Sequence, residues 1–266
     1  MKKIIYIISL FVSSVLYTSC DALDLAPEDY FGSGNYWNNE AQVEGFMYGM
    51  HSQLRGNYNM FYCLGELRGG TQRVGSSSQN TSLDYAILRT NTLSQDNPGF
   101  TNWFGLYSPI MQVNHFIQKV ENECAFLSEA DRKTYLGQAY GLRALYYFML
   151  YKTYGGVPLI TDVKVLEGGK ISADALYTER STPETILKFI KSDLEASELN
   201  FGNNVTIDRA MWTKYATLML KAEIYMWAAK VSINGYTASG KSDLEIAKNA
   251  LNGIIGKFQL LNKFSD

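Results

Sequence analysis

Apolar residues recur along this chain at helical spacing. Val43, Phe46, Met47, Met50 and Leu54 fall at i, i+3, i+4, i+7 and i+11, one stripe of a helix that begins near Asn38 and Asn39, with His51 beside it. Leu106, Ile110, Val113, Ile117 and Val120 draw a second stripe. A third helix is predicted from Ser128, with Asp131 where a capping box carries Glu, and it runs into a stretch whose apolar and aromatic residues cover every face. A helix apolar all round is either a membrane span or a strut buried among other helices. Gln138, Arg143 and Lys152 interrupt the run well short of the ~20 apolar residues a span needs, so this is a core helix. Gly155-Gly156 supplies the left-handed residue that ends it, and Val157-Pro158 forces an extended exit.

The pattern continues in the same way. Ser181-x-x-Glu184, with Pro183 in the first turn, predicts a helix through Leu199. Met211, Tyr215, Leu218, Ala222, Tyr225 and Ala229 form a stripe of five turns. Ser242-x-x-Glu245 opens a last helix that turns Ala247, Ala250, Leu251 and Ile254 inward and stops at Gly256. Strand signal is weak throughout. Amphipathic helices joined by short turns, such as 234–241, predict a mostly α fold of helix-turn-helix pairs packed side by side. The exception is 64–102, rich in Gly, Ser, Thr, Asn and Gln, with one brief apolar run at 83–88. A long irregular insertion in a helical domain is usually functional or disordered, and function is the reading taken here.

Composition adds the compartment. Lys2-Lys3, the apolar run 4–16 and small residues up to Cys20 have the three zones of a secretory signal peptide, too short for a span. A cysteine directly after Thr18-Ser19 makes residues 1–19 a lipoprotein signal and Cys20 the lipidated first residue of the mature chain, 20–266. Tyr17 departs from the leucine usual in such signals, and secretion with a free thiol is the alternative. Cleavage would remove two lysines and no acid from a net charge of −2, leaving −4. Without a basic cluster this argues against nucleic acid. Cys63 and Cys124 show no metal-ligand spacing and are read as two buried thiols, although the oxidising compartment leaves pairing open.

The segment 138–161 carries a family resemblance. Gln138-x(4)-Arg143-Ala144-x-x-Tyr147, the aromatic helix, and Tyr154-Gly155-Gly156-Val157-Pro158-Leu159 resemble the signature of the SusD/RagB-like family, outer-membrane lipoproteins that bind nutrients, mostly glycans, at the cell surface. Trp103-x(3)-Tyr107-x(2)-Ile110-x(3)-Asn114 resembles the family's preceding helix. Asp193-Leu194-x-Ala196 resembles the end of the following one, 209–229 the next long helix, and 258–264 the short segment after it. Family members are longer, so the chain is expected to stop partway, at Asp266. The resemblance implies a SusD-like fold of tetratricopeptide-like hairpins and an anchor in the outer membrane through Cys20. It further implies a SusC-like TonB-dependent transporter as partner, and capture of oligosaccharide, or in some members peptide, for import without catalysis, cofactor or metal.

The same resemblance draws part of the ligand surface from the loops before the Trp103 helix. Arg73, Gln79, Asn80, Tyr85 and Asn91 are the candidates there to stack on a sugar or hydrogen-bond to it, each set against the plainer role of a solvated or loop-packing residue. Catalysis finds little footing. His51 and His115 lie on separate helices with no nucleophile or metal partner at motif spacing, and both are read as partly buried helix histidines. Glu66 and Asp84 flank the polar stretch without a separation that sequence can give, and the glycines of 65–70 lack the strand-then-helix setting of a phosphate loop. A surface glycan-processing enzyme and a helical-repeat scaffold for protein partners are the alternatives.

Overall fold

The computed structural model describes residues 36–71, 83–99, 103–163, 177–233 and 235–259, and within these not the side chains of 83–85 and 104. The signal segment and Cys20 lie outside the described residues. The chain divides into two units, Met1–Asn38 and Asn39–Asp266, and every element below belongs to the second. Among the described residues there is no strand; two isolated bridges, Pro158 with Arg180 and Ile233 with Tyr236, are the extent of β pairing.

The helices, in order, are α1 (Glu40–Gly56), α2 (Tyr58–Leu64), a 3-10 turn (Glu66–Arg68), α3 (Leu83–Thr90), α4 (Phe104–Asn122), α5 (Glu129–Tyr154), α6 (Pro183–Phe201), α7 (Lys214–Lys230) and α8 (Lys241–Asn252). Their starts follow cap chemistry. Asn39 accepts from the N–H of Gln42 at 3.1 Å, and Ser128 accepts from that of Asp131 at 3.1 Å while its hydroxyl meets the Asp131 carboxylate. Each cap is worth about 1 kcal/mol.

Three helices depart from the sequence reading at their ends. The cap before α6 is Thr182, whose Oγ1 accepts from Thr185 N, and Ser181 instead pairs its N–H with Val157 O at 2.9 Å. Pro183 lies in the first turn either way, and behind the Thr182 cap it takes the first helical position. Helix α7 begins at Lys214 behind the cap Thr213, so Met211 stands before the helix. Helix α8 starts behind Gly240 and stops at Gly253, with Ala247 and Ala250 inward but Leu251 exposed. Ser242 there donates to Ser239 O and caps nothing.

The insertion 64–102 is also more helical than its composition suggests. Its apolar run forms α3, and Leu88 packs with Cys63 and Leu67 into a small buried cluster that holds α3 against α2 and the 3-10 turn. Burial of a few side chains outweighs the weak local propensity.

Helix α5 is the strut that the pattern demands. It lies between α4 and α6, α7 pairs with α8 and also meets α6, and α1 covers α4. Tyr146, Tyr147, Phe148, Leu150 and Tyr151 are buried on successive faces. An apolar side chain so buried contributes roughly 1.5–3 kcal/mol. Two glycines let neighbours close in: a Cβ on Gly137 would press on the Phe201 ring, and one on Gly141 would overlap the Trp212 indole. Behind them Ser197 donates to Gly137 O at 2.6 Å, and Thr217 meets the Ser197 hydroxyl at 2.8 Å while accepting from Trp212 Nε1 at 2.9 Å. This buried chain joins α5, α6 and α7 with its polar atoms partnered. Cys63 and Cys124 are buried thiols and not a disulfide. No helix among the described residues is long and apolar enough to cross a membrane.

Candidate functional site

The extended exit after α5 is fixed by side chains from two helices. Gly155 closes α5 at φ 72°, a conformation that favours glycine. A Cβ on Gly156 would collide with Ser181 O, because the two backbones pass there and Pro158 bridges Arg180. Tyr147 of α5 donates its hydroxyl to Ile160 O at 2.8 Å and accepts from Ile160 N at 2.9 Å. From α4, Asn114 Nδ2 donates to the same carbonyl at 2.9 Å, and the Tyr107 hydroxyl donates to Pro158 O at 2.6 Å. Burial, with a smaller contribution from Tyr147, pushes the Tyr107 phenol far above its usual range, so it remains a donor.

Arg143 anchors this framework from below. Its Nε and Nη2 each lie 2.8 Å from a different oxygen of Asp193 on α6, and Nη1 donates to Asn114 Oδ1 at 2.9 Å. The Tyr140 and Phe189 rings flank the guanidinium at 5.3 and 5.0 Å. The signature residues Arg143, Tyr147, Gly155, Gly156 and Pro158 are thus parts of one support for the segment 155–160. Gln138 is buried on the same helix, and its Oε1 has no hydrogen-bond partner among the described residues.

A cleft of about 490 Å³ opens where the insertion meets the C-terminal end of α5 and Arg180. Leu88, Leu93, Trp103 and Tyr154 line it, together with Arg68 and Arg180. Trp103 meets Tyr154 edge-to-face at 5.4 Å and lies under the Arg180 guanidinium at 5.5 Å. Arg180 is held by Gly156 O and Tyr154 O, both at 2.6 Å. Lys152 also reaches the cleft, ion-paired to Glu223 at 2.8 Å. Aromatic faces beside fixed hydrogen-bond donors suit a ligand with an apolar face and many oxygens. A second cleft, about 540 Å³ between α6, α7 and α8, has its Lys221–Glu198 pair closed on itself and its Tyr215 ring edge-on to Phe258. It presents no comparable set.

The sequence candidates meet this site unevenly. Asn91 is described: at φ 51° it follows α3, and its amide accepts from Arg68 Nε at 3.2 Å and donates to Arg68 O at 3.3 Å, so it positions a cleft residue. Arg73, Gln79 and Asn80 lie outside the described residues, as does the Tyr85 side chain. Trp103 and Tyr154 stand in the motifs quoted above, but sequence reasoning did not single them out as ligand residues, and it missed Arg68 and Arg180. The pairing of an exposed Arg with a lone Trp far upstream is not a sequence signal. His51 is buried, with Nδ1 on Met47 O at 2.9 Å and Nε2 accepting from Trp212 N at 2.8 Å. His115 is half-buried, its ring 6.0 Å from that of Phe46. Among the described residues no three His, Cys, Asp or Glu gather as metal ligands.

Residues 38–226 match the model of a SusD-like family described as starch-binding and associating with the outer membrane. A SusD-like protein of Formosa agariphila is 26% identical over 251 residues, which are 91% of this chain and 47% of that protein. Among solved structures, a SusD superfamily protein of Bacteroides fragilis is 34% identical with a TM-score of 0.73, covering 86% of this chain and 46% of that one. B. fragilis NanU is 33% identical with a TM-score of 0.75 and coverages of 91% and 46%. A laminarin-binding SusD-like protein, 18% identical with a TM-score of 0.64 and coverages of 84% and 46%, shares the fold. The chain spans about half the length of the relatives it matches.

Proposed function

Since this chain belongs to the SusD-like family, we propose that it is the N-terminal, helical part of a surface lipoprotein that captures oligosaccharide without altering it. Cys20 carries the lipid and holds the protein to the outer membrane, and a SusC-like TonB-dependent transporter receives the ligand for import. The observation that carries this reading is the cleft beside the insertion, where Trp103 and Tyr154 offer ring surface and Arg68 and Arg180 offer donors. Arg73, Gln79, Asn80, Tyr85 and Asn91 belong to the same insertion and contribute from its side. Binding there is weak per contact, because each hydrogen bond to a sugar replaces one to water.

The test uses the complete protein. Trp103→Ala should abolish binding of an oligosaccharide that the parent binds in calorimetry, with unchanged circular dichroism, and the saccharide should be recovered intact after incubation. Release of shorter sugars would instead establish an enzyme. Cys20→Ala should shift the protein out of the membrane fraction in cells lacking the transporter, and retention there would refute the anchor.

A further inference from the structure

The charge around the cleft is one-sided. Its described lining contains Arg68, Lys152 and Arg180 and no carboxylate. Lys152 is neutralised by Glu223 at 2.8 Å, whereas the two arginines form no ion pair among the described residues. Their partners are neutral: Arg68 Nε donates to the Asn91 amide, and Arg180 donates to the carbonyls of Gly156 and Tyr154. These bonds orient both guanidinium groups without discharging them. Arg68 keeps both Nη groups and Arg180 its Nη1 without a protein acceptor among the described residues.

A neutral sugar requires donors and acceptors in similar number. Two oriented forks that accept nothing and retain full charge suit an oxyanion, which a guanidinium holds through two parallel hydrogen bonds. The support is rigid on both sides. Arg180 rests on the Trp103 ring and on a backbone bridge, and Arg68 is tied to Asn91 across the turn after α3. Little conformational entropy is left to lose on binding.

We propose that this cleft selects acidic oligosaccharides, with a carboxylate or sulfate group received by Arg68 and Arg180 while the sugar ring packs on Trp103. The proposal rests on the reading of the cleft as the glycan site and narrows it to a substrate class.

The experiment titrates the complete protein with an oligogalacturonate, a sulfated oligosaccharide of similar length, an equally long maltooligosaccharide and inorganic sulfate. At least one acidic saccharide should bind roughly tenfold or more tightly than the neutral one, the advantage shrinking as salt rises. The better of the two acidic probes identifies the anion, and either result supports the proposal. Arg68→Gln and Arg180→Lys should each remove most of that advantage, weakening acidic binding by a much larger factor than neutral binding, with circular dichroism unchanged. Arg180→Lys keeps the charge and loses the fork, so it separates bidentate recognition from general attraction. Equal binding of acidic and neutral saccharides, both abolished by Trp103→Ala, would overturn the acidic class and leave the glycan site standing. Acidic binding indifferent to Trp103→Ala and to both arginine variants would overturn site and class together. Inorganic sulfate binding as tightly as the sulfated saccharide would reduce the cleft to an anion site and overturn the proposal.

Discussion

Arg143 and Asp193 meet through two parallel hydrogen bonds of 2.8 Å, joining the centre of α5 to the middle of α6 in a nearly dry interior. The third guanidinium bond, to Asn114, extends the tie to α4, and Asn114 in turn holds Ile160 O. One buried charge pair therefore fixes three helices and the extended segment that leaves α5 beside the cleft. Removing one partner strands the other without solvent. Arg143→Ala should lower stability by about 3–5 kcal/mol in urea unfolding, and an unchanged midpoint would refute the role. A joint apolar replacement, Arg143→Met with Asp193→Leu, should cost less than either single truncation, because no charge is left unpaired.

Gly141 tests close packing rather than charge. Its missing Cβ is the space occupied by the Trp212 indole, which also donates to Thr217. Gly141→Ala should destabilise by ~1–3 kcal/mol or more, despite the better helix propensity of alanine. Combining it with Trp212→Leu should give a cost smaller than the sum of the two single changes. Strict additivity in thermal unfolding would show that the two residues do not compete for that space.

His51 makes stability depend on pH. Its ring is neutral in the fold, since Nε2 accepts the Trp212 N–H, and burial lowers its pKa below the ordinary 6.5, with Arg55 adding to the lowering and Met47 O and Asp208 opposing it. The unfolded chain then takes up this proton at higher pH than the folded one. The histidine's contribution is complete above about pH 6.5 and is lost as pH falls from there through the folded value. Melting temperature should decline over that interval, and His51→Gln should flatten the decline. An equal slope in both proteins would exclude His51 as its source.

The thiols offer a check on the core. Cys63 and Cys124 are fully buried, and burial raises the Cys124 thiol pKa. In a Cys20→Ser background neither should react with a thiol reagent under native conditions, and both should react in denaturant. Rapid native labelling of Cys124 would show that the turn between α4 and α5 opens.

Sequence alone determined the long helices and most of their inward faces. The stripe of α4 is buried as spacing requires, as are Val43, Met47 and Met50 of the α1 stripe, and the aromatic run of α5 had to be a strut because all its faces are apolar. It also required that Arg143 find a buried partner, since a guanidinium cannot stay unpaired among such neighbours. Which acid served was a tertiary matter: Asp193 lies fifty positions away, and nothing in local spacing prefers it. Boundaries that depend on competition between adjacent hydroxyls, Ser181 against Thr182, were likewise decided by the pairing of Ser181 N with Val157 O. The cleft was the least legible part. Composition marked the insertion, but α3 forms because Leu88 finds Cys63 and Leu67, and the site exists because a backbone bridge brings Arg180 over Trp103. Periodicity records which side of a helix avoids water; it carries no information about which distant loop will lie across that helix's end.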